Sequence, residues 1–247
     1  MPKFFVNKEQ ICDGYVTILG EDAHHISRSL RMAQGEHITV SDMQRNEYEC
    51  VLDQFLDGKV IARVESSWRA DTEPEIAIRL FQALPKGDKL DLIIQKSVEC
   101  GVYDITPFES DRCVVKCKKD AEDRKSERRN RIALEAAKQS GRGIVPVVNP
   151  TLTFEQMLSE AGKSDVVLFC YEGEGTEPLG RVLSGLDREN IKQISVIIGS
   201  EGGFSLEEAQ RASESGFYKI GLGKRILRTE TAALFALSCL AYEFELS

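Results

Sequence analysis

The chain has 247 residues, of which 29% are charged and 42% hydrophobic, a composition ordinary for a globular protein and sufficient for one large or two smaller domains. Its formal net charge of −8 argues against a protein that coats nucleic acid through bulk positive charge. No apolar run approaches the roughly 20 residues of a membrane span, and "MPKFFVNKEQ" lacks the apolar stretch of a secretory signal, so we expect no membrane association and a cytoplasmic location.

The first 70 residues contain short strand patterns, in which β-branched or alternating apolar residues are bounded by Gly or Asp. One helix is predicted over residues 22–32, with Asp22 as its N-cap. This pattern favours a small β-barrel of the kind used as an accessory domain, over residues 1–70. A polar linker, "ADTEP", follows at residues 70–74. The predicted strands are residues 3–6, 15–20, 36–42, 47–56 and 59–68.

From residue 75 to residue 247 predicted strands alternate with predicted helices, which indicates a second, α/β domain with a mainly parallel sheet covered on both faces. Ligands of such sheets bind beyond the carboxyl ends of the strands. Three loops therefore compete for a site, those after Cys170, Ile198 and Ile220. The predicted strands are residues 75–84, 104–108, 165–172, 194–199 and 218–223, and the predicted helices are residues 89–100, 116–140, 153–162, 205–216 and 229–246.

The last predicted helix is apolar nearly all round, which requires burial on several sides. It either lies inside the monomer or forms half of a subunit interface, and the pattern does not distinguish the two.

Residues 116–131 are locally basic, with eight Lys and Arg against four Asp and Glu. A solvated, salt-bridged helix explains this charge. A basic face on an acidic protein also suits selective contact with RNA.

The seven cysteines are scattered and odd in number, which argues against a disulfide framework. Cys113 and Cys117 are four residues apart, but no second ligand pair exists and the chain has only three histidines. We therefore expect no metal site and predict that most cysteines are small buried apolar residues.

The first loop lies in "ISVIIGSEGGFS", residues 194–205. Ser205 and Glu208 form a capping-box pattern, so the following helix N-terminus is satisfied by its own side chains. No Gly-Lys-Ser/Thr follows, and "GSEGG" does not match G-x-G-x-x-G. Phosphate binding by this loop is disfavoured, and the same holds for "GLGKRI" at residues 221–226.

A neutral or cationic ligand remains, because glycines let main-chain groups approach a flat base or a ribose closely. Glu201, in the middle of the loop, would suit a ribose hydroxyl or a sulfonium cation. The alternative is a tight strand-to-helix turn with an exposed glutamate.

The second loop, "IGLGKRILRTETAA", places Arg228 and Glu230 where a strand end leads into the apolar last helix. Arg228 there would orient a polar substrate or stabilise charge that develops on it. The alternative is that Thr229 or Thr231 caps the helix while Arg228 and Glu230 form a surface pair. The third loop, "FCYEGEGTEPL", again combines Gly and Glu after an apolar strand.

The two motifs "IIGSEGGFSLEE" and "LGKRILRTETA" together resemble the signature motifs of the bacterial 16S ribosomal RNA uridine-N3 methyltransferases, a family of the SPOUT superfamily. The resemblance continues in order through "HHISRSLRMAQGEHITVSD", "KGDKLDLIIQKSVECGV", "ITPFESDRCVVK" and "KQSGRGIVPVV", and so covers essentially the whole chain. One departure is Ser200, where the family commonly has Pro.

The resemblance implies a PUA-like β-barrel followed by a mainly parallel α/β domain with a deep trefoil knot, acting as a homodimer. It also implies that the knotted loops bind S-adenosylmethionine, mostly through main-chain contacts. The cofactor-binding positions carried over by motif are Gly199, Glu201, Gly202, Gly203, Leu222, Gly223, Ile226, Leu227 and Arg228, with Leu168 and Glu172.

The implied reaction is attack of uridine N3 on the sulfonium methyl group. The weakly acidic N3–H must be lost, which calls for a base or an oxyanion stabiliser. Arg228 is our candidate for stabilising charge on a uracil oxygen, and Glu230 is a candidate base. Contacts with RNA phosphates are expected from Arg28, Arg31, Lys86, Arg112 and Arg142.

The leading hypothesis is therefore an S-adenosylmethionine-dependent uridine-N3 methyltransferase whose partner is 16S ribosomal RNA or the small ribosomal subunit. A methyltransferase of the same superfamily that acts on transfer RNA or large-subunit ribosomal RNA is an alternative. A non-catalytic RNA-binding or ribosome-assembly factor with the same fold is another.

Overall fold

The computed structural model describes the backbone of residues 1–116 and 119–247, and the side chains of residues 1–116 and 122–247. The chain divides into two compact units: Met1–Glu73 with Ala137–Val145, and Pro74–Ala136 with Pro146–Ser247. The predicted linker lies at the first boundary. The short segment Ala137–Val145 was predicted to belong to the second domain, but it belongs to the first unit.

The reason for this difference is a set of polar contacts within the first unit. The Arg142 guanidinium donates to both oxygens of the Glu73 carboxylate, with the shortest contact at 2.6 Å. The Lys3 ammonium donates to the carbonyl oxygens of Gly141 and Arg142, at 2.9 and 2.8 Å. Because Glu73 and Arg142 are both buried, these bonds hold the segment to the unit.

The first unit contains one six-stranded sheet, with strand order β1-β4-β5-β6-β3-β2. Only β1 and β4 pair in parallel, and the other neighbours are antiparallel. Alternate residues of these strands point into one apolar core that contains Val16, Ile18, Ile38, Val40 and Leu52. The strands are β1 (Lys3–Phe5), β2 (Ile11–Cys12), β3 (Tyr15–Leu19), β4 (His37–Ser41), β5 (Asn46–Leu56) and β6 (Lys59–Arg69).

All five strands predicted in this region are confirmed, and only the two-residue β2 was missed. The predicted helix is shorter than expected: α1 (Gly20–His24) runs directly into one π-helical turn, His25–Ser29. Its N-cap is Leu19, so the prediction of Asp22 as N-cap is wrong. Among the described residues no strand pairing joins β1 to β2. Barrel closure therefore stays a prediction.

The second unit contains an eight-stranded sheet in which every neighbouring pair is parallel. The strand order is β10-β8-β7-β13-β11-β14-β12, and β9 also pairs with β8. The strands are β7 (Ala77–Ala83), β8 (Asp104–Glu109), β9 (Val147–Val148), β10 (Leu152–Thr153), β11 (Val166–Cys170), β12 (Glu177–Pro178), β13 (Gln193–Ile198) and β14 (Tyr218–Gly221).

The helices predicted from apolar spacing in this region are present. The last residues of α3, from Ala137 onwards, belong to the first unit. Helix α2 packs against α7, α4 packs against β7, β8 and β13, and α6 packs against β14. The short elements β9, β10, β12 and α5 were not predicted, since two to six residues carry no periodic signal. The helices are α2 (Lys89–Glu99), α3 (Lys119–Ser140), α4 (Phe154–Ala161), α5 (Leu179–Ser184), α6 (Leu206–Glu214) and α7 (Thr229–Ala241).

The last helix, α7, is buried along one side only. Ala233, Ala236, Leu237 and Leu240 face the interior, whereas 39% of Phe235 is exposed. A π-helical turn, Tyr242–Leu246, follows, and its Tyr242 and Leu246 are exposed. None of the described helices is long and apolar enough to cross a membrane.

The strand order decides where a ligand would bind. Because β13, β11 and β14 are adjacent and parallel, their carboxyl ends lie side by side at one edge of the sheet. The three loops that the sequence nominated as competing sites therefore meet at a single place.

Candidate active site

A cavity of about 720 Å³ lies at this edge of the sheet, within the second unit. It is lined by residues 170–173, 198–204 and 220–229, together with Lys89, Arg112, Thr176 and Ala232. Its size is in the range of small-molecule and cofactor sites. The lining residues Ile198, Phe204, Ile220 and Thr229 are buried and form its floor.

The glycine loop after β13 is a tight turn that requires its glycines. The Gly203 N–H donates to the carbonyl oxygen of Ser200 at 2.9 Å, and Gly203 has a φ of +63°. A Cβ on Gly202 would lie 3.0 Å from Cβ of Arg112, whose guanidinium donates to the Gly202 carbonyl oxygen. The loop thus packs closely on Arg112 and leaves its other side to the cavity.

The start of α6 shows why this loop is no phosphate cradle. The predicted capping box is confirmed, since Ser205 accepts from the Glu208 N–H and Glu208 accepts from the Ser205 N–H. Glu208 also accepts from the Asp111 N–H, and the Ser205 hydroxyl donates to the Asp111 carboxylate. An anion here would meet two carboxylates and a helix end that is already capped.

A buried contact joins the two sequence motifs. The Thr229 hydroxyl donates to the Gly199 carbonyl oxygen at 2.6 Å and accepts from the Gln82 side-chain amide at 2.9 Å. Neither Thr229 nor Thr231 caps α7, because the N-cap residue is Arg228 and no side chain caps this end. The threonine instead positions the start of α7 against the glycine loop.

The Glu201 carboxylate is held by the start of α2. It accepts from the Lys89 ammonium at 2.8 Å and from the Lys86 N–H at 3.1 Å. Partial burial raises the pKa of Glu201, but the hydrogen bonds from Lys89 and from backbone N–H groups outweigh it and place that pKa below its ordinary value. The same bond raises the pKa of Lys89. The ionised Glu201 carboxylate therefore joins the glycine loop to the start of α2 and the residues just before it.

The loop between β14 and α7 offers its backbone to a ligand. Within the part of the chain that the structure describes, no N–H or C=O group of residues 222–227 makes a hydrogen bond to another residue. Such groups need a partner, from water or from a ligand. Gly223 adopts a φ of +109°, a conformation that favours glycine. Because glycine has no side chain, a ligand can approach the backbone closely at this point. This loop and the glycine loop give the cavity a largely main-chain lining.

A family model described as "RNA methyltransferase domain" matches residues 72–241. The ribosomal RNA small subunit methyltransferase E of Bacillus subtilis (strain 168) is 35% identical over 100% of this chain and 98% of its own length. The chain belongs to this family.

Two solved structures of similar proteins contain a bound ligand. Ribosomal RNA small subunit methyltransferase E from Neisseria gonorrhoeae, bound to S-adenosyl methionine, is 30% identical with a TM-score of 0.83, over 98% of this chain and 97% of that one. A Legionella pneumophila protein in complex with the cofactor SAM is 31% identical with a TM-score of 0.81, over 97% of this chain and 96% of that one. Both have the fold of this methyltransferase family along nearly the full chain.

Most positions assigned to the cofactor by motif line the cavity of this methyltransferase E family member. Leu168 does not: it is fully buried in the middle of β11, paired with Val196 and Tyr218, and the strand meets the cavity only at Cys170. The assignment of Leu168 to the cofactor is therefore a poor fit to its position. The positions that do line the cavity are Glu172, Gly199, Glu201, Gly202, Gly203, Leu222, Gly223, Ile226, Leu227 and Arg228.

The two catalytic candidates lie in different surroundings. Arg228 lines the cavity with an exposed side chain, and its guanidinium has no ion-pair partner among the described residues. Glu230 does not line the cavity; its Oε2 atom is buried and lies 3.6 Å from the Lys89 ammonium. This position supports Arg228 as a substrate contact and argues against Glu230 as a base that reaches the substrate.

The five residues assigned to RNA differ in exposure and position. Arg28 and Arg31 are exposed in the first unit, Lys86 is exposed but does not line the cavity, and Arg112 lines it. Arg142 is 3% exposed and bound to the buried Glu73, so a phosphate would have to displace a carboxylate inside the core. We therefore do not retain Arg142 as an RNA contact.

Sequence reasoning missed three charged residues of the cavity, Lys89, Lys224 and Arg225. The last two lie within the motif "LGKRILRTETA", from which Leu222, Gly223, Ile226, Leu227 and Arg228 were assigned to the cofactor and Lys224 and Arg225 received no role. Lys89 is separated from Glu201 by 112 residues, so only the folded chain reveals their contact.

The cysteines take no visible part in chemistry. Cys170 lines the cavity, but burial raises the pKa of its thiol, which disfavours a reactive thiolate. Cys113 is buried beside Ser110, whereas Cys117 lies outside the described residues. Among the described residues no group of three His, Cys, Asp or Glu is arranged to hold a metal ion.

Proposed function

We propose that this protein transfers the methyl group of S-adenosylmethionine to N3 of a uridine in 16S ribosomal RNA. The observation that carries the proposal is the cavity at the ends of β11, β13 and β14. It is lined by the glycine loop, by the open main-chain groups of residues 222–227 and by Arg228, which has no ion-pair partner among the described residues. It lies inside the segment matched by the RNA methyltransferase family model.

The residues present fit S-adenosylmethionine. Unpaired backbone groups of residues 222–227 suit an adenine and a ribose, which recognise main-chain donors and acceptors. The buried Ser200 hydroxyl of the glycine loop, which has no hydrogen-bond partner among the described residues, adds a polar atom to the lining of the same cavity. We assign the cofactor to two groups of lining residues, with Glu172 at the edge: Gly199, Glu201, Gly202 and Gly203 of the glycine loop, and Leu222, Gly223, Ile226, Leu227 and Arg228.

S-adenosylmethionine, when bound, would supply a methyl group on a sulfonium and leave as S-adenosylhomocysteine. The uridine N3 must lose its proton before it can accept that group, and negative charge then lies on the uracil oxygens until the methyl group is transferred. Arg228 stands at the N-terminus of α7, where no side chain caps the helix, so its guanidinium and the helix dipole both favour a negative oxygen there. Arg228 is therefore the proposed catalytic residue.

A dedicated base is not required by this arrangement. Glu201 is engaged by Lys89, and Glu230 lies outside the cavity lining. Stabilisation of the uracil anion by Arg228 makes N3–H more acidic, so that water takes the proton, while the cavity positions the reacting atoms. The uridine must leave its stack to enter the cavity.

The RNA contacts proposed from the motifs are Arg28, Arg31, Lys86 and Arg112, which are all exposed. They would bind phosphates and so contribute affinity more than base selection.

We further propose that the first unit is a PUA-like barrel and that the second contains the trefoil knot. The β-rich, mainly antiparallel first sheet supports the barrel. After β14 the chain crosses back over β11, because α7 packs against β13 and β7, and this path supports the knot. A force measurement on the chain pulled from both termini tests it, because a tightened knot shortens the unfolded length, whereas full extension contradicts it.

We also propose a homodimer built on α7. Phe235, Tyr242 and Leu246 are exposed, and Leu92 on the neighbouring α2 is 44% exposed. Light scattering should give twice the chain mass, and Phe235→Glu should reduce it to one chain. The control is Leu206→Glu, which changes a still more exposed apolar residue on α6 (79% exposed, against 39% for Phe235) and should leave the dimer intact. A monomeric wild-type protein at micromolar concentration would contradict the dimer.

The decisive experiment uses labelled S-adenosylmethionine and small subunits from cells that lack the protein. Wild-type protein should label a uridine, and mass spectrometry should place the methyl group on N3. Arg228→Ala should lose about 100-fold or more in rate, while Arg225→Ala, a neighbouring exposed arginine, should retain the chemical step at saturating RNA.

Other outcomes point elsewhere. A methylated transfer RNA or large-subunit RNA would overturn the substrate and keep the chemistry. No calorimetric binding of S-adenosylmethionine would favour a non-catalytic RNA-binding factor. Full activity of Arg228→Ala would overturn the catalytic assignment.

A further inference from the structure

Four cations surround the opening of the cavity. Lys224, Arg225, Arg228 and Arg112 all line it, and all four side chains are exposed, so they lie at its rim and not at its floor. In the described part of the chain, Lys224, Arg225 and Arg228 have no ion-pair partner, and Arg112 donates only to a carbonyl oxygen. We call Lys224, Arg225 and Arg112 the cationic rim.

This rim is unusual within an acidic chain of 40 Asp and Glu against 32 Lys and Arg. Elsewhere many cations are paired: Arg128 with Asp91, Arg129 with Glu122, and Arg211 with Glu155. Like charges placed together repel one another unless an anion joins them. Two carboxylates also line the cavity. Glu201 is engaged by Lys89, and the single charge of Glu172 does not balance the four cations at the opening.

The proposed cofactor does not supply that anion. S-adenosylmethionine carries an ammonium and a sulfonium against a single carboxylate, so it is itself a net cation. Its binding makes the opening more positive. The charge at the rim therefore calls for an anionic partner that approaches from solvent.

We propose that Lys224 and Arg225, with Arg112, bind the phosphates next to the target nucleotide of the RNA. This inference rests on the proposed function and deepens it. The rejected phosphate cradle concerned backbone N–H groups of a glycine loop, whereas the rim uses long charged side chains, which contact phosphates without such a cradle. The rim thereby concentrates RNA affinity at the cavity of a protein whose total charge repels RNA.

The experiment measures binding of unmethylated, in vitro transcribed 16S ribosomal RNA at a series of KCl concentrations, with S-adenosylhomocysteine present to prevent turnover. The double variant Lys224→Ala/Arg225→Ala should bind roughly tenfold more weakly and lower the slope of log affinity against log salt by about 1.4, that of two single-strand phosphate contacts. Lys224→Arg/Arg225→Lys keeps both charges and should restore the slope.

The control is Lys96→Ala/Lys163→Ala, which removes the same charge outside the cavity, from the partly exposed Lys96, paired with Glu99, and the exposed Lys163, paired with Glu160. It should leave the slope unchanged. Calorimetry without RNA should show that the rim variant binds S-adenosylmethionine as wild type does, since neutralising two cations does not weaken a cationic ligand. This also verifies that the variant is folded.

An unchanged slope in the rim variant, or an equal loss in the control, overturns the cationic rim while leaving the proposed function intact if wild type still transfers methyl groups. Wild type that shows the slope difference but transfers no methyl group overturns the proposed function and leaves the rim as an RNA contact.

Discussion

The Thr229 hydroxyl donates a hydrogen bond of 2.6 Å to the carbonyl oxygen of Gly199. This bond joins the first turn of α7 to the end of β13 and so unites the two motifs that form the cavity. Gln82, buried on β7, donates to the same hydroxyl at 2.9 Å. Thr229 and Gln82 are buried and Gly199 lines the cavity, so this contact lies inside the protein and positions the two loops.

Replacement of Thr229 by Val should therefore loosen the cavity. The shape is nearly kept, but the Gly199 carbonyl and the Gln82 amide lose a partner, at a cost of about 1–3 kcal/mol in the free energy of unfolding. Urea unfolding and calorimetry of S-adenosylmethionine binding check this. Thr229→Ser keeps the hydroxyl and should behave like wild type; a Val variant as stable and as tight as wild type would contradict the positioning role.

Gly202→Ala should distort the glycine loop without changing the charge of the protein. Its Cβ would lie 3.0 Å from Cβ and 3.3 Å from the carbonyl oxygen of Arg112, which must both give way. We expect a loss of about 1–3 kcal/mol in cofactor binding free energy, measured by calorimetry. Gly180→Ala, in α5 with open space around it, should bind normally and unfold at equal or higher urea. Normal binding by Gly202→Ala would show that the loop adapts.

The Glu201–Lys89 bond should make stability depend on pH. Since the pKa of Glu201 is lower in the folded protein than its ordinary value of 4.5, its contribution is complete above that value and is lost as pH falls through the lower folded pKa. Glu201→Gln should thus unfold more easily at pH 7, by at most about 1 kcal/mol for this partly exposed pair, and the difference from wild type should vanish in acid.

Urea midpoints measured from pH 7 down to the acid range test this expectation. Glu174→Gln, an exposed carboxylate of the loop after β11, serves as the control and should show no such convergence. A constant difference between wild type and Glu201→Gln at all pH values would exclude the carboxylate as its source.

Arg142 should act on stability and not on RNA. Arg142→Met leaves the fully buried Glu73 carboxylate without its cationic partner, and removing one member of a buried pair costs about 3–5 kcal/mol. Unfolding in urea measures the loss, and the double variant Glu73→Gln/Arg142→Met should recover part of it. If Arg142→Met instead keeps wild-type stability and reduces RNA affinity, the original RNA assignment is correct.

Much of the fold followed from local pattern. The strands of three or more residues and the five longest helices were predicted because apolar periodicity and capping residues such as Ser205 act over a few residues. The two-residue strands and the short α5 were not predicted, because they form through contacts with neighbouring elements and have no periodic pattern of their own. Asp22 was misplaced as an N-cap because α1 begins two residues earlier, at Gly20 with a φ of +60°.

The candidate site was predicted as a set of loops but not as a set of contacts. Glu201 was expected to meet the ligand, yet its carboxylate is bound by Lys89 on a helix 112 residues away. Arg142 was expected at the surface, yet it is buried beside Glu73. In both cases the sequence identified a charged residue that forms an ionic contact, but it could not identify the partner, which is distant in the chain.

By itself, the sequence determined the alternation of strands and helices, the capped start of α6, and the three loops that could hold a ligand. Only the tertiary structure decided that these loops share one cavity, that Thr229 meets Gly199, and that unpaired cations surround the opening. Periodicity and capping are energies between near neighbours in the chain, whereas the order β13-β11-β14 depends on which strands pair across the sheet. That pairing brings together groups that no local pattern connects.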